Sequence, residues 1–289
     1  MKRYGFVILH YGDIKVTEEC IDTILRLDFI EQCIIVVVDN DSGKSESKSD
    51  KLSDKYTEKN YIKVIRTAGE TGFSEANNYG YKYIVDNYNV DFMIITNNDI
   101  IFEQKDLLKR IEESYGNEEW DVLSPDVIGR ETGVHQSPIA FRGRTYTELE
   151  YTIFFNRLCL ILLPIIYPLL SRIMQGYKQR DYIDKKVDNV VPCGACLCLS
   201  KRFIDNEDKV FKPETKFYYE EYILHHRCAL EGYNIVYDPT IRVIHGDGKA
   251  TRTKAKDEKE RLRFIMSNTL QSAIIYRNLK KQTDGDVDV

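Results

Sequence analysis

Short unbroken apolar runs alternate with stretches of helical spacing through the first half of the chain. YGFVILH, from Tyr4, has strand length, and CIIVVVD repeats the pattern and ends at Asp39. Between them Val16, Cys20, Ile24 and Leu27 share one helical face, which predicts a helix from Val16 to Leu27. The stretch DNDSGKSESKSDKLSDK is polar and turn-rich, so it reads as a surface loop with room for a short helix. YIKVI then gives a third strand, Phe73 to Val85 a helix, DFMIIT a fourth strand, Lys105 to Tyr115 a helix and DVLSP a fifth strand. Such alternation predicts an α/β fold with a mainly parallel central sheet flanked by helices.

Past Pro125 the pattern loosens. VVPCGACLCLS reads as a strand, Tyr219 to Glu231 as a helix, NIVYDPTIRVIH as short strands, and Arg261 to Leu279 as a closing amphipathic helix. The acidic QTDGDVDV reads as a disordered tail over 282–289. Neither repeats nor a long linker appear, so 1–281 is expected to form one unit. Its parts are a first half at 1–125, a second half at 126–250 and a helical segment at 251–281.

One segment departs from this soluble pattern. Tyr151 to Met174 (151–174) is apolar, yet its uninterrupted core runs only from Leu158 to Leu170 and carries Pro164 and Pro168. A spanning helix needs about 20 apolar residues, so a transmembrane helix is rejected. A buried core segment, a contact with a second copy of the chain, and an interfacial seat on a membrane remain open, with Arg157, Arg172, Lys178 and Arg180 flanking it.

A net charge of −5 over 289 residues argues against a nucleic-acid partner, whose footprint is a basic face. The N-terminus enters a strand at once, and the cysteine count of 7 is odd. Reduced thiols and a cytoplasmic setting are therefore expected. Cys193, Cys196 and Cys198 include a CxxC, but no second ligand pair stands at zinc spacing, so they read as small core residues.

Candidate chemistry gathers where strands end. DFMIITNNDIIF drives an apolar run into Asn97, Asn98 and Asp99, and CIIVVVD ends in Asp39, Asn40, Asp41 and Ser42. Such groups also start ordinary turns, but strand tips of an open α/β sheet are where ligands bind. GETGFSEANNYG leads into a helix and is neither a dinucleotide fingerprint nor a Walker A loop. Its helix-start amides, Asn77 and Asn78 could meet an anion or a sugar, or serve only as caps.

Taken in order, these stretches resemble glycosyltransferase family 2, particularly its rhamnosyltransferase-like bacterial branch. FVILHYGD resembles the family's opening strand, with His10 in place of the usual asparagine before Tyr11. VVVDNDS resembles the donor segment, ETGFSEANNYG matches at Gly72, Phe73, Asn77, Asn78 and Gly80, and ITNNDIIF resembles the metal-binding segment. PCGACLCLS resembles the acceptor-side strand, and FYYEEYILHHRCALEGY the segment that carries the base.

The resemblance implies a GT-A-type fold and inverting transfer of a sugar. The donor would be a nucleotide sugar, dTDP-rhamnose or a UDP-sugar. The acceptor would be a hydroxyl of a glycan or lipid-linked glycan in cell-surface polysaccharide synthesis, at the inner face of the membrane. It implies donor contacts at His10, Tyr11, Asp39, Asn40, Gly72, Phe73, Asn77 and Asn98, and an acceptor side at Gly194 and Ala195. A divalent cation, Mg²⁺ or Mn²⁺, falls to Asp99 with His245 and Asn97. Glu221 inherits the base from an aspartate, with Glu220 beside it. The chain departs from the family pattern at Asn97, at Glu221 and at Ile223, which replaces a later aspartate. Two rivals stand beside this reading: a non-catalytic nucleotide-sugar-binding protein and a sugar-nucleotide nucleotidyltransferase.

Overall fold

Seven successive residues of β1 (Tyr4–His10) are buried, and so are all seven of β2 (Cys33–Asp39). A strand buried on both faces must be covered by helices on both sides, and the computed structural model has that arrangement. It describes residues 2–40, 46–174, 182–246 and 258–284. Tyr4, Phe6 and Ile8 point into one core with Cys20, Ile21 and Ile24 of α1 (Ile14–Ile24) and Leu107, Leu108 and Ile111 of α4 (Leu107–Asn117). Val7 and Leu9 point the other way, against Ala76, Tyr81 and Ile84 of α3 (Phe73–Asn87). Gly80 lets α3 settle onto the sheet: a Cβ there would stand 2.5 Å from Val7 and 2.6 Å from Val38. The polar stretch after β2 supplies α2 (Glu46–Tyr56), and β3 (Ile62–Arg66) follows.

The sheet has nine strands among the described residues. The further strands are β4 (Phe92–Asn97), β5 (Ile100–Ile101), β6 (Val122–Gly129), β7 (Val187–Asp188), β8 (Cys196–Ser200) and β9 (Ile235–His245). Their order is β3-β2-β1-β4-β8-β6-β9-β5, with β7 on β9. The ladders from β3 through β4 are parallel, as is β6 with β9, but β8 runs antiparallel between β4 and β6. The sheet is thus mixed, parallel in its longer ladders.

The stretch expected to make two short strands is one strand, β9, with a register shift opposite Pro125 and Asp126. Asp238 explains how Pro239 is carried: its buried carboxylate accepts from Thr240 N at 3.0 Å and Thr240 Oγ1 at 2.6 Å, so the bulge folds around that side chain.

Helix α6 (Lys201–Asn206) follows β8, and α7 (Glu220–Glu231) precedes β9. The apolar segment lies in α5 (Tyr146–Met174), which packs along the closing helix α8 (Glu258–Asp284). Pro164 and Pro168 fall within α5. Among the described residues no helix is long and apolar enough to cross a membrane. Helix α8 runs through Asp284, so 282–284 are helical, and 285–289 of the expected tail lie outside the described residues.

Candidate active site

Parallel register puts the ends of β1, β2 and β4 on one sheet edge: His10 stands beside Asp39, and Leu9 beside Asn97. The chain then turns through Asn98 and Asp99 into β5, which pairs antiparallel with the end of β9, matching Ile100 to His245. That pairing brings His245 Nε2 to 3.3 Å from Asp99 Oδ1. Asp99 Oδ2 is buried without a hydrogen-bond partner, an unusual state for a carboxylate oxygen and one that suits a cation ligand.

A cavity of about 280 Å³ opens over this edge. It brings together Tyr11, Asn40, Phe73, Asn97, Asn98, Asp99, Gly194, Ala195, Glu220, Glu221 and His245, eleven of the residues expected at the site. His10, Asp39, Gly72 and Asn77 do not line it. His10 is buried behind it, its Nδ1 2.6 Å from Thr17 Oγ1, and Thr17 Oγ1 accepts from Asn98 Nδ2 at 2.8 Å. Asp39 is buried at the tip of β2, 3.8 Å from Arg66 Nε.

Asn40 organises the loop before α3. Its Nδ2 donates to Gly72 O at 3.1 Å, and its Oδ1 accepts from Thr71 N at 3.0 Å. Gly72 has φ +100°, and a Cβ there would stand 2.8 Å from Lys216 Cα, so the position requires glycine. Asn77 donates to Phe73 O at 3.0 Å within its own helix. Asn78, left open above between a sugar or anion contact and a capping role, is occupied by backbone: it donates to Phe211 O at 2.7 Å and accepts from Phe211 N at 3.0 Å.

The facing wall carries two carboxyl groups at the start of α7. Tyr218 and Tyr219 both have φ +69°, a left-handed conformation that costs a bulky residue of order 1–3 kcal/mol. The strained turn starts α7 so that Glu220 and Glu221 reach the cavity. Glu220 Oε2 accepts from Thr215 Oγ1 at 3.2 Å, and Glu221 Oε1 from Gly194 N at 3.3 Å. A Cβ at position 194 would lie 2.5 Å from Glu221 Oε1, so glycine is what admits this carboxyl. Burial raises Glu220 well above the ordinary carboxylate range, and the charge of Glu221 adds to the rise. Burial also raises Glu221.

Several wall residues escaped the sequence reading: Phe217, Tyr218, Cys193, and Phe264 from α8. The aromatic cluster before EEY was a usable signal for the first two. Phe264 arrives only through tertiary packing. Ile223 is buried against Leu149, Ile153 and Tyr276, which explains its departure from the family's aspartate: this helix face is core, not cavity. All seven cysteines are free and buried. His225 and His226 lie off the cavity, bonded to Asn189 O and Thr283 Oγ1.

The profile of Glycosyl transferase family 2 matches residues 6–184. The chain belongs to that family. It is 25% identical over 249 residues to the low-salt glycan biosynthesis hexosyltransferase Agl10 of Haloferax volcanii, covering 84% of this chain and 69% of that protein. Among solved structures it is similar to S. aureus TarS 1–349 bound to UDP-GlcNAc, with 17% identity and a TM-score of 0.54 over 97% of this chain and 73% of that one. It is also similar to the mannosyltransferase PcManGT of Pyrobaculum calidifontis with GDP-Man and Mn²⁺. There the identity is 11% and the TM-score 0.53, over 97% of this chain and 75% of that one. The fold is that of the GT-A glycosyltransferases, and the chain is a glycosyltransferase of this family.

Proposed function

We propose that this family 2 enzyme transfers a sugar, with inversion, from a nucleotide-sugar donor to a hydroxyl of a glycan or lipid-linked acceptor in cell-surface polysaccharide synthesis on the cytoplasmic side of the membrane. One observation carries the reading: the Asp99–His245 pair and the Glu221 carboxyl face the same cavity from different elements. Inversion needs a single in-line displacement and one base. As the acceptor oxygen bonds to the anomeric carbon, its proton passes to Glu221 and the bond to the diphosphate oxygen breaks. Glu220, held by Thr215 Oγ1 at 3.2 Å, would stand beside the base without taking its role.

Among the described residues no group of three or more His, Cys, Asp and Glu side chains could hold a metal. Asp99 and His245, with Asn97 on the same cavity wall, are the residues that would hold a Mg²⁺ or Mn²⁺. Such a cation supplies positive charge against the departing diphosphate. Tyr11, Asn40, Phe73 and Asn98 would meet the donor directly. Asp39 would reach the nucleoside from the tip of β2, and His10, Gly72 and Asn77 would act by shaping that wall. Gly194 and Ala195 leave room for the acceptor.

The similar structures hold UDP-GlcNAc and GDP-Man. The motif resemblance favours dTDP-rhamnose, or otherwise a UDP-sugar. A melting-temperature panel of UDP-, GDP- and dTDP-sugars decides this. One nucleotide class should raise the melting temperature, more so with Mn²⁺, since ligand at a hundredfold excess over Kd stabilises by about 2.7 kcal/mol. No rise with any of them would overturn the reading, and pyrophosphorolysis of a donor would restore the nucleotidyltransferase rival.

Helix α5 supports a peripheral seat on a membrane. Leu149, Ile153, Cys159 and Leu163 are buried against α7 and α8, while Tyr151, Phe154, Leu158, Ile161 and Ile165 form an exposed stripe. Ile161 and Ile165 are 75% and 77% exposed. The 151–174 sequence holds Arg157 and Arg172 and no acidic residue, which suits an anionic lipid surface. The protein should co-sediment with phosphatidylglycerol vesicles and less with phosphatidylcholine. Burying an isoleucine is worth about 1.5–3 kcal/mol, so Ile161→Glu with Ile165→Glu should cut the bound fraction by more than about tenfold. A concentration-dependent dimer abolished by the same pair would instead assign the stripe to a second copy of the chain.

A further inference from the structure

We propose that Gln136 is a positioning residue that fixes the tautomer of His245 for cation binding; this rests on the cation reading of Asp99 and His245. Gln136 Oε1 lies 2.8 Å from His245 Nδ1, across 109 residues of sequence. A carboxamide oxygen only accepts, so Nδ1 donates to it, and Nε2 is the nitrogen left to face a cation. That nitrogen stands 3.3 Å from Asp99 Oδ1, and Asp99 Oδ2 has no hydrogen-bond partner. The imidazole nitrogen and the carboxylate thus face the same point from two different elements. The geometry is that of a ligand pair set in advance.

The support for Gln136 is itself built in. Gln136 N donates to Val127 O at 2.7 Å, and Arg130 N, just past the end of β6, donates to His245 O at 2.8 Å, so β6 and the residue that follows it hold both partners in one frame. The preceding residue, His135, is fixed by Asp126 through Nδ1 at 2.8 Å and packs on Tyr182 with ring centroids 4.6 Å apart. An imidazole held by an acceptor at its far nitrogen is a stronger and better-aimed ligand, and losing such a partner commonly costs 10–100-fold in metal affinity.

The test measures Mn²⁺ binding to the full chain by the electron paramagnetic resonance signal of the free ion. It is run alone and with the nucleoside diphosphate that the melting panel selects. Gln136→Leu, which removes the acceptor, should raise the Mn²⁺ dissociation constant by about 10–100-fold. Gln136→Glu, which keeps an acceptor, should stay near the unaltered protein, a rescue that a merely structural role would not produce. If Gln136→Leu fails to fold, Gln136→Asn withdraws the carbonyl by one methylene and should show the same weakening. Wild-type affinity in the folded Leu or Asn variant, with binding lost in Asp99→Ala, would overturn the role of Gln136 and leave the cation reading standing. Equal binding by Asp99→Ala and the unaltered protein would overturn the cation reading itself, and this inference with it.

Discussion

Glu221→Gln is expected to lower sugar transfer by about 10² or more, the scale of general-base loss, while nucleoside diphosphate binding is retained. The substitution keeps side-chain length, and a carboxamide oxygen can still accept from Gly194 N, which lies 3.3 Å from Oε1. What is lost is the capacity to take the acceptor proton. Because burial raises the Glu221 carboxyl, the acid limb of kcat/KM should sit above the ordinary carboxylate range. The sign follows from the role: as pH falls through that value the base becomes protonated and the rate drops. The Gln variant should lack this limb. Glu220→Gln should be far milder, since burial and the neighbouring charge already favour a neutral Glu220. Native transfer by Glu221→Gln beside a dead Glu220→Gln would move the base to position 220.

Asp99→Ala should abolish donor turnover to a similar or greater degree, because a bound cation contributes several kcal/mol to stabilising a departing diphosphate. Excess chelator should do the same to the unaltered enzyme, and Mg²⁺ or Mn²⁺ should restore it. Stability should move the other way. Asp99 Oδ2 is buried and unpartnered, so deleting the carboxylate removes a desolvated charge and should leave the melting temperature unchanged or raised. Full activity in chelator would end the metal role, and a collapsed Asp99→Ala variant would show that the carboxylate is structural.

The difference between what was readable and what was not follows sequence distance. Asp99 and Asp39 announce themselves because each ends an apolar run, and a polar group at the tip of a buried strand is visible locally. Glu220 and Glu221 needed family context, since two glutamates at a helix start otherwise read as a solvated face. Asn78 had the right residue type, but its amide is taken by the backbone of Val210 and Phe211, which no local pattern reveals. Phe264 and Gln136 were unreadable for the same reason: their roles exist only once α8 and β6 have docked. The antiparallel sense of β8 was equally hidden, because an apolar run carries no direction.

That direction has a consequence for how the molecule comes apart. β8 lies between β4 and β6, pairing Thr96 with Cys196 on one side and Leu123 with Cys198 on the other. A strand from the later part of the chain thus occupies a slot between two strands from the earlier part. The two parts therefore share one hydrogen-bonded sheet and are not modules that could be exchanged or expressed alone. A fragment ending at 125 would leave β4 with a bare apolar border, an invitation to self-association. Folding must also wait for contacts that span about a hundred residues, a topology that favours slow, late assembly of the cavity wall that carries Gly194 and Ala195. Chimeras that trade acceptor preference between relatives should therefore be cut in surface loops, keeping β4, β6 and β8 from a single parent.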